Sequence, residues 1–179
     1  CERFGQRHLW HRQRQLWRVL RLLRLIQYPA NPAPEGAVRK EVKSLGNTNR
    51  KVGTGFEKDL CVSLAGYDFW AHNLAQNAQG QPFDVIAARN GKTYPIDCKV
   101  CEKDIFRLER VEENQYSAMT LWRQTGNGEG WFALRMTTGE VWFISFENME
   151  RAMLTRRSLY WPEIKQFGIT LEEWVSKCT

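Results

Sequence analysis

The sequence predicts an α/β fold, a mixed β-sheet flanked by helices, and three observations carry that expectation. Apolar residues recur at helical spacing ahead of residue 66, an Asn-Gly dipeptide joins two strand-like runs near residue 90, and a second helix-then-hairpin pattern follows. Of the 179 residues, 42% are hydrophobic and 12% aromatic. That is enough to bury one core, and it excludes a chain disordered throughout.

Each element has its own signal. Phe56, Leu60 and Leu64, with Val52 one turn earlier, make residues 50–65 an amphipathic helix, and Gly66 is expected to end it. Tyr67 to Leu74 alternates roughly and is rich in aromatics, as a strand would be; Ala75 to Gln81 reads as a polar loop. Phe83 to Arg89 and Lys92 to Val100 are strand-like arms around Asn90-Gly91, the dipeptide that suits a type I′ turn with positive φ at both central residues. Pro95 requires that its own position in the second arm need no N–H. Val111 to Gln124 is a second helix, Gly126 to Gly130 a loop, and Trp131–Met136 with Glu140–Phe146 a second hairpin around Thr138-Gly139. Two short C-terminal helices complete the pattern, the last opened by the capping box Thr170-x-x-Glu173. The stripe Trp131, Phe132, Val141, Trp142 and Phe143 suits a sheet covered on both faces, or a dimer surface.

Charge divides the chain unevenly. There are 26 Lys and Arg against 20 Asp and Glu; residues 1–34 hold seven Arg and one acid of these, which leaves 19 of each sign for the rest. The body is therefore neutral and the whole excess of +6 sits in the first 34 residues. Those residues read as an extension or disordered arm, as a basic amphipathic helix against nucleic acid or membrane, or as an organelle address. A Pro-rich linker follows (Pro29, Pro32, Pro34, Gly36), so residues 1–46 are assigned to the extension and linker and 47–179 to one folded domain. No apolar run reaches the roughly 18 residues of a membrane span. Five scattered cysteines argue against a secreted disulfide framework and for a reducing, cytoplasmic compartment. Cys98-x-x-Cys101 is only half a zinc site, and buried inert thiols are the expected reading.

The chemistry concentrates on the first hairpin. With Asn90-Gly91 as a two-residue turn, cross-strand partners carry numbers that sum to 181, which sets Asp84 opposite Asp97. Cβ atoms so opposed stand about 4.5–5.5 Å apart, and two like charges there destabilise the sheet. Lys99 shares their face, two residues along the strand. A solvated polar face with one salt bridge would explain this arrangement. So would a hard-cation site, because Mg²⁺ takes one or two carboxylates plus water and phosphate oxygens and removes the repulsion. The Cys98 side chain points to the other, apolar face, but its backbone carbonyl is a candidate ligand.

Glu57 on the early helix, Asp84, and Asp97-Cys98-Lys99 resemble the motif of the PD-(D/E)XK nuclease superfamily, here Pro82-Phe-Asp84…Ile96-Asp-Cys-Lys99. Asn49-Arg50, Gly55-Phe56-Glu57, Phe106-x-Leu108, Gln115 and Gly130-Trp-Phe132 extend the likeness over about residues 47–146, closest to Holliday-junction resolvases of the RecU type, also called penicillin-binding-protein-related factor A. Phe83 replaces the motif's Pro, Asp97 stands for its Glu, and the interval from Leu74 to Asp84 is too short for the RecU stalk, which implies a shorter or phage-type relative. The resemblance implies a restriction-endonuclease-like core and a Mg²⁺-dependent DNA endonuclease, with Mn²⁺ as substitute, acting on Holliday junctions or other branched DNA as a homodimer. Asp84, Asp97, the Cys98 carbonyl and Glu57 are the implied metal ligands, Lys99 the residue that positions water or phosphate, and Gln115 a further positioning residue, with an exposed helix polar residue as its plain alternative. Glu112 and Glu113 read only as first-turn acids. Arg50, Lys51, Lys103, Arg107 and Arg110 are candidate DNA contacts; Trp70, His72 and Asn73 lie on the preceding strand. The rival readings are a nuclease with less structural selectivity, a catalytically silent DNA-binding or assembly protein with the same fold, and a membrane-surface protein using the Arg-rich segment.

Overall fold

The computed structural model describes residues 42–75 and 81–178. The Arg-rich segment and its Pro-rich linker lie outside the described residues up to position 41, as do residues 76–80 of the expected polar loop. Helix α1 spans Val42–Ala65, so it starts well before residue 50 and within the segment assigned to the linker. The polar run Gly46-Asn-Thr-Asn49 reads as loop but is carried in the helix. At its other end Gly66 still bonds back to Val62, and the left-handed residue is Asp68, at φ 64°. The helix thus ends directly before Gly66, as expected, and the chain makes one more turn before it extends.

Three strands follow: β1 (Trp70–Asn73), β2 (Val85–Arg89) and β3 (Lys92–Val100). Asn90 and Gly91 both have positive φ, 54° and 75°, as the two-residue turn requires. The register runs from Arg89 opposite Lys92 to Val85 opposite Ile96, so partner numbers do sum to 181. Then come β4 (Ile105–Arg107), α2 (Glu113–Gln124), β5 (Trp131–Arg135), β6 (Val141–Ser145), α3 (Phe146–Thr155), β7 (Ser158–Tyr160), α4 (Trp161–Phe167), β8 (Gly168–Thr170) and α5 (Leu171–Lys177). The C-terminal part thus holds three helices rather than two. The α5 capping box is as expected: the Thr170 hydroxyl accepts the Glu173 N–H, and the Glu173 carboxylate accepts the Thr170 N–H.

Six strands form one mixed sheet in the order β1-β2-β3-β5-β6-β8, with β3 and β5 parallel and every other pair antiparallel. Strands β4 and β7 pair separately. The crossover from β3 to β5 passes through α2, which places α2 over the sheet beside β3. Apolar side chains cover both faces. On one, Phe56, Leu60 and Leu64 of α1 and Trp174 of α5 pack on Val85, Ala87, Ile96, Cys98, Ala133 and Phe143. On the other, Tyr116 and Met119 of α2, Phe146 and Met149 of α3 and Ile164 of α4 pack with Phe132, Leu134 and Ile144. Strand alternation in the first hairpin would set Phe83 on the Val85 face, but it belongs to this second layer. It precedes β2, where the strand alternation does not yet hold. Both faces are therefore covered from within the chain, including the Trp131–Phe143 stripe.

Candidate active site

The site grows from the end of the first hairpin. Asp84 stands one residue beyond the last ladder pair, and its backbone is held from both sides: its N–H bonds to the Ile96 carbonyl at 3.1 Å and its carbonyl accepts the Leu74 N–H at 2.7 Å. The ladder ends there: Asp84 and Val85 both face Ile96, which breaks the expected Asp84–Asp97 pairing, although the charge of Asp84 still acts on Asp97. Its carboxylate accepts the Cys98 backbone N–H at 2.8 Å on Oδ2 and the Gln81 side-chain amide at 3.2 Å on Oδ1. The N–H and carbonyl of an extended residue point to the same strand edge. The Cys98 carbonyl therefore faces the edge that carries Asp84.

Asp97 is wholly buried, which removes the solvated-face explanation. Neither of its oxygens receives a well-formed hydrogen bond, and the Lys99 ammonium at 2.8 Å from Oδ2 is its ion-pair partner. Burial pushes the Asp97 carboxyl up from 3.8 to about 7; Lys99 pulls it back, and the Asp84 and Glu112 charges add to the rise. For Lys99, burial works against the charged form, but Asp97, with Asp84 and Glu112 behind it, leaves the ammonium above its usual range. Glu57 is also buried, on α1, and its Oε2 accepts the Asn73 amide at 2.8 Å. Burial raises its pKa, the charge of Asp84 adds to this, and Asn73 and Lys99 oppose it. Glu57, Asp84, Asp97 and Lys99 thus lie within one another's electrostatic reach.

Gln115 is buried rather than exposed, and its side-chain oxygen accepts the Glu112 N–H at 3.1 Å, closing the first turn of α2. Glu112 is more than a first-turn acid, because its charge acts on both Asp97 and Lys99. Of the basic residues, Lys103 and Arg107 are exposed just beyond the strand that carries Asp97. Arg110 is exposed too, although its guanidinium donates to the Val100 carbonyl at 2.7 Å. Arg50 and Lys51 lie on α1, but their side chains fall outside the described residues. Asn73 and Gln81, which hold the carboxylates of Glu57 and Asp84, are missed by a reading of motifs. Nothing in the spacing of a strand-end Asn or a loop Gln announces a partner 16 residues away or 3 residues ahead.

Among the described residues, no three His, Cys, Asp or Glu side chains close on one point. The arrangement is instead a pair of carboxylates with a backbone carbonyl at the same edge, the Asp97 Oδ2 paired to Lys99 and its Oδ1 without a hydrogen bond among the described residues. That donor set, all hard oxygen, fits Mg²⁺ better than a softer metal. The Asp97 shift has a measurable consequence. Between pH 4 and 7 the folded protein holds a proton on Asp97 that the unfolded chain has lost, so this group's contribution to stability is full below its ordinary pKa and disappears as pH rises through about 7. Glu57, also raised, acts in the same direction. In EDTA, thermal unfolding is therefore expected to show a falling Tm contribution across this window, and the Tm gain on adding Ca²⁺ should be larger at pH 8 than at pH 5.5. A gain independent of pH would contradict this.

Comparison with known proteins finds a matching family and similar solved structures. The family model for archaeal Holliday junction resolvases (Hjc) matches residues 48–178. The solved structure of Archaeoglobus fulgidus Hjc, a Holliday junction resolvase from an archaeal hyperthermophile, has the same fold with a TM-score of 0.55 at 21% sequence identity, over 69% of this chain and 99% of that one. No curated protein matches the chain.

Proposed function

The chain belongs to the archaeal Holliday junction resolvase (Hjc) family, and on that premise we propose that it cuts four-way DNA junctions with Mg²⁺, or Mn²⁺ in its place, at the carboxylate pair Asp84 and Asp97. The observation that carries the reading is the state of Asp97: a fully buried carboxylate without well-formed hydrogen bonds, paired to Lys99 and beside a second acid. Such a group is costly unless a cation uses it. Asp84, Asp97 and the Cys98 carbonyl would hold the cation, with Glu57 acting directly or through water. A divalent ion there supplies an acidified water and offsets charge on the phosphate.

The remaining roles belong to the chain itself. The Lys99 ammonium, fixed by Asp97, is the fixed donor for the phosphate oxygens as charge builds on them. The burial of Asp97 keeps bulk water from it and strengthens the local field. Gln115 holds the first turn of α2 and so acts on the site through Glu112. Lys103, Arg107 and Arg110, with Arg50 and Lys51, are the candidate backbone contacts on DNA, and residues 47–179 are the nuclease unit. Resolving a symmetric junction takes two cuts, so two copies related by a twofold axis are expected. Action on DNA implies an intracellular location, and no helix among the described residues is long and apolar enough to cross a membrane.

The test sets four-way junction, linear duplex, flap and single strand side by side, each with Mg²⁺ and with EDTA. Paired cuts in the junction alone, and only with Mg²⁺, are expected. Equal cutting of duplex would reduce the reading to a nuclease without junction preference, and binding without any cutting would replace it with a silent DNA-binding protein.

A further inference from the structure

A loop amide, Gln81, is tied to Asp84, a second amide on α2, Asn114, is tied to Gln81, and no motif of the sequence claims either. Gln81 donates from Nε2 to Asp84 Oδ1 at 3.2 Å, and its own backbone carbonyl accepts the Asn114 amide of α2 at 2.7 Å. The carboxylate fixes which way round the Gln81 amide lies, because the reversed orientation would set two acceptors against each other. With Nε2 on Asp84, the Gln81 Oε1 sits on the other arm of the same amide, buried and without a hydrogen-bond partner among the described residues. A buried amide oxygen left bare costs free energy unless something donates to it.

We propose that Gln81 is a positioning residue of the cation site, holding Asp84 through Nε2 and offering Oε1 as acceptor to a water in the cation's hydration shell. This rests on the reading of Asp84 and Asp97 as the cation-binding pair. Mg²⁺ keeps most of its water when it binds, so acceptors for that water are part of the site. Asn114 makes the acceptor rigid by pinning the Gln81 backbone to α2, whose first turn also carries Glu112. Loss of such outer partners lowers metal affinity about 10- to 100-fold in other sites.

The test is calorimetric titration of the full chain with Ca²⁺ and with Mn²⁺, without DNA, for wild type, Gln81→Met and Gln81→Glu, with thermal unfolding in EDTA as the fold control. Gln81→Met keeps the length and removes both polar atoms, and an affinity loss of about tenfold or more is expected. Gln81→Glu puts a third carboxylate where Oε1 lies and replaces the Nε2 donor by an oxygen that repels Asp84 until a cation lies between them, so a lower Tm in EDTA and tighter cation binding than wild type are expected, since added ligand charge raises affinity. A glutamine that only braces the loop would move both variants alike or neither. Wild-type affinity in both variants overturns the role of Gln81 and leaves the carboxylate pair standing. Absence of binding by the wild type overturns the cation site itself, and the role of Gln81 falls with it. Should Gln81→Met fail to fold, the sign of the Gln81→Glu change decides alone.

Discussion

Replacing Asp97 by Asn is expected to lower cleavage of a four-way junction by at least about 10³-fold, the scale on which a single charge-stabilising group at a reacting centre counts. The substitution keeps the shape of a side chain that has no exposed surface. What it removes is the charge that would hold the cation and that raises Lys99 above its usual range. Junction binding in EDTA, read by gel shift, is expected to stay near wild type, because the candidate phosphate contacts lie elsewhere, on Lys103 and Arg107. The two readouts separate a chemical defect from a failure to fold or to bind. Cleavage within tenfold of wild type would remove Asp97 from the chemistry.

The second large effect is on stability and lies on the opposite face of the sheet. Trp174→Ala is expected to cost about 3–5 kcal/mol, measured as the shift of the urea midpoint. Against a total of about 5–15 kcal/mol for a domain, that is a large share of the whole. Trp174 is fully buried and is the hub of an aromatic cluster: it stacks on Phe143 at 4.5 Å and on Phe69 at 5.3 Å, and meets Tyr94 and Trp131 edge-on. These contacts bring strands β3, β5 and β6 and the connection between α1 and β1 against the short helix α5. Trp174→Phe should cost much less, because the indole N–H has no hydrogen-bond partner and its loss leaves nothing unpaired. Equal losses for Ala and Phe would mean that the ring contacts are not what holds α5.

The first hairpin was the most legible part of the chain, for a physical reason. A two-residue turn leaves no freedom of register, so Asn90-Gly91 alone aligns the arms from Arg89–Lys92 to Val85–Ile96 and brings Asp84 to the end of the ladder, within reach of the Asp97 charge. The parts that escaped reading lack any such constraint. Strands β4, β7 and β8 are each three residues long, too short to show a period. The start of α1 runs through Gly and Asn residues that locally favour a turn, and neighbouring helix overrides them. Alternation misassigned Phe83, because the pleat begins only at Val85.

The site divides in the same way. Its charged members belong to a short motif and could be named from their spacing, and the likeness to junction resolvases reached the right kind of enzyme. The matching family is the archaeal one rather than the RecU type, in keeping with an interval from Leu74 to Asp84 too short for a stalk. The burial of Asp97 could not be read from the hairpin, because it depends on how the rest of the chain packs around the sheet. Asn73, Gln81 and Glu112 were out of reach for the same reason: each acts on the site through a contact or a field that only the folded chain creates.

The central claim is that Asp84 and Asp97 together hold the divalent cation, and the most direct measurement is the anomalous difference density of manganese in crystals of the protein with Mn²⁺. A peak within ligand distance of both carboxylates, absent from crystals of Asp97→Asn, is the expected result. A peak remote from both, or none at saturating Mn²⁺, would contradict it.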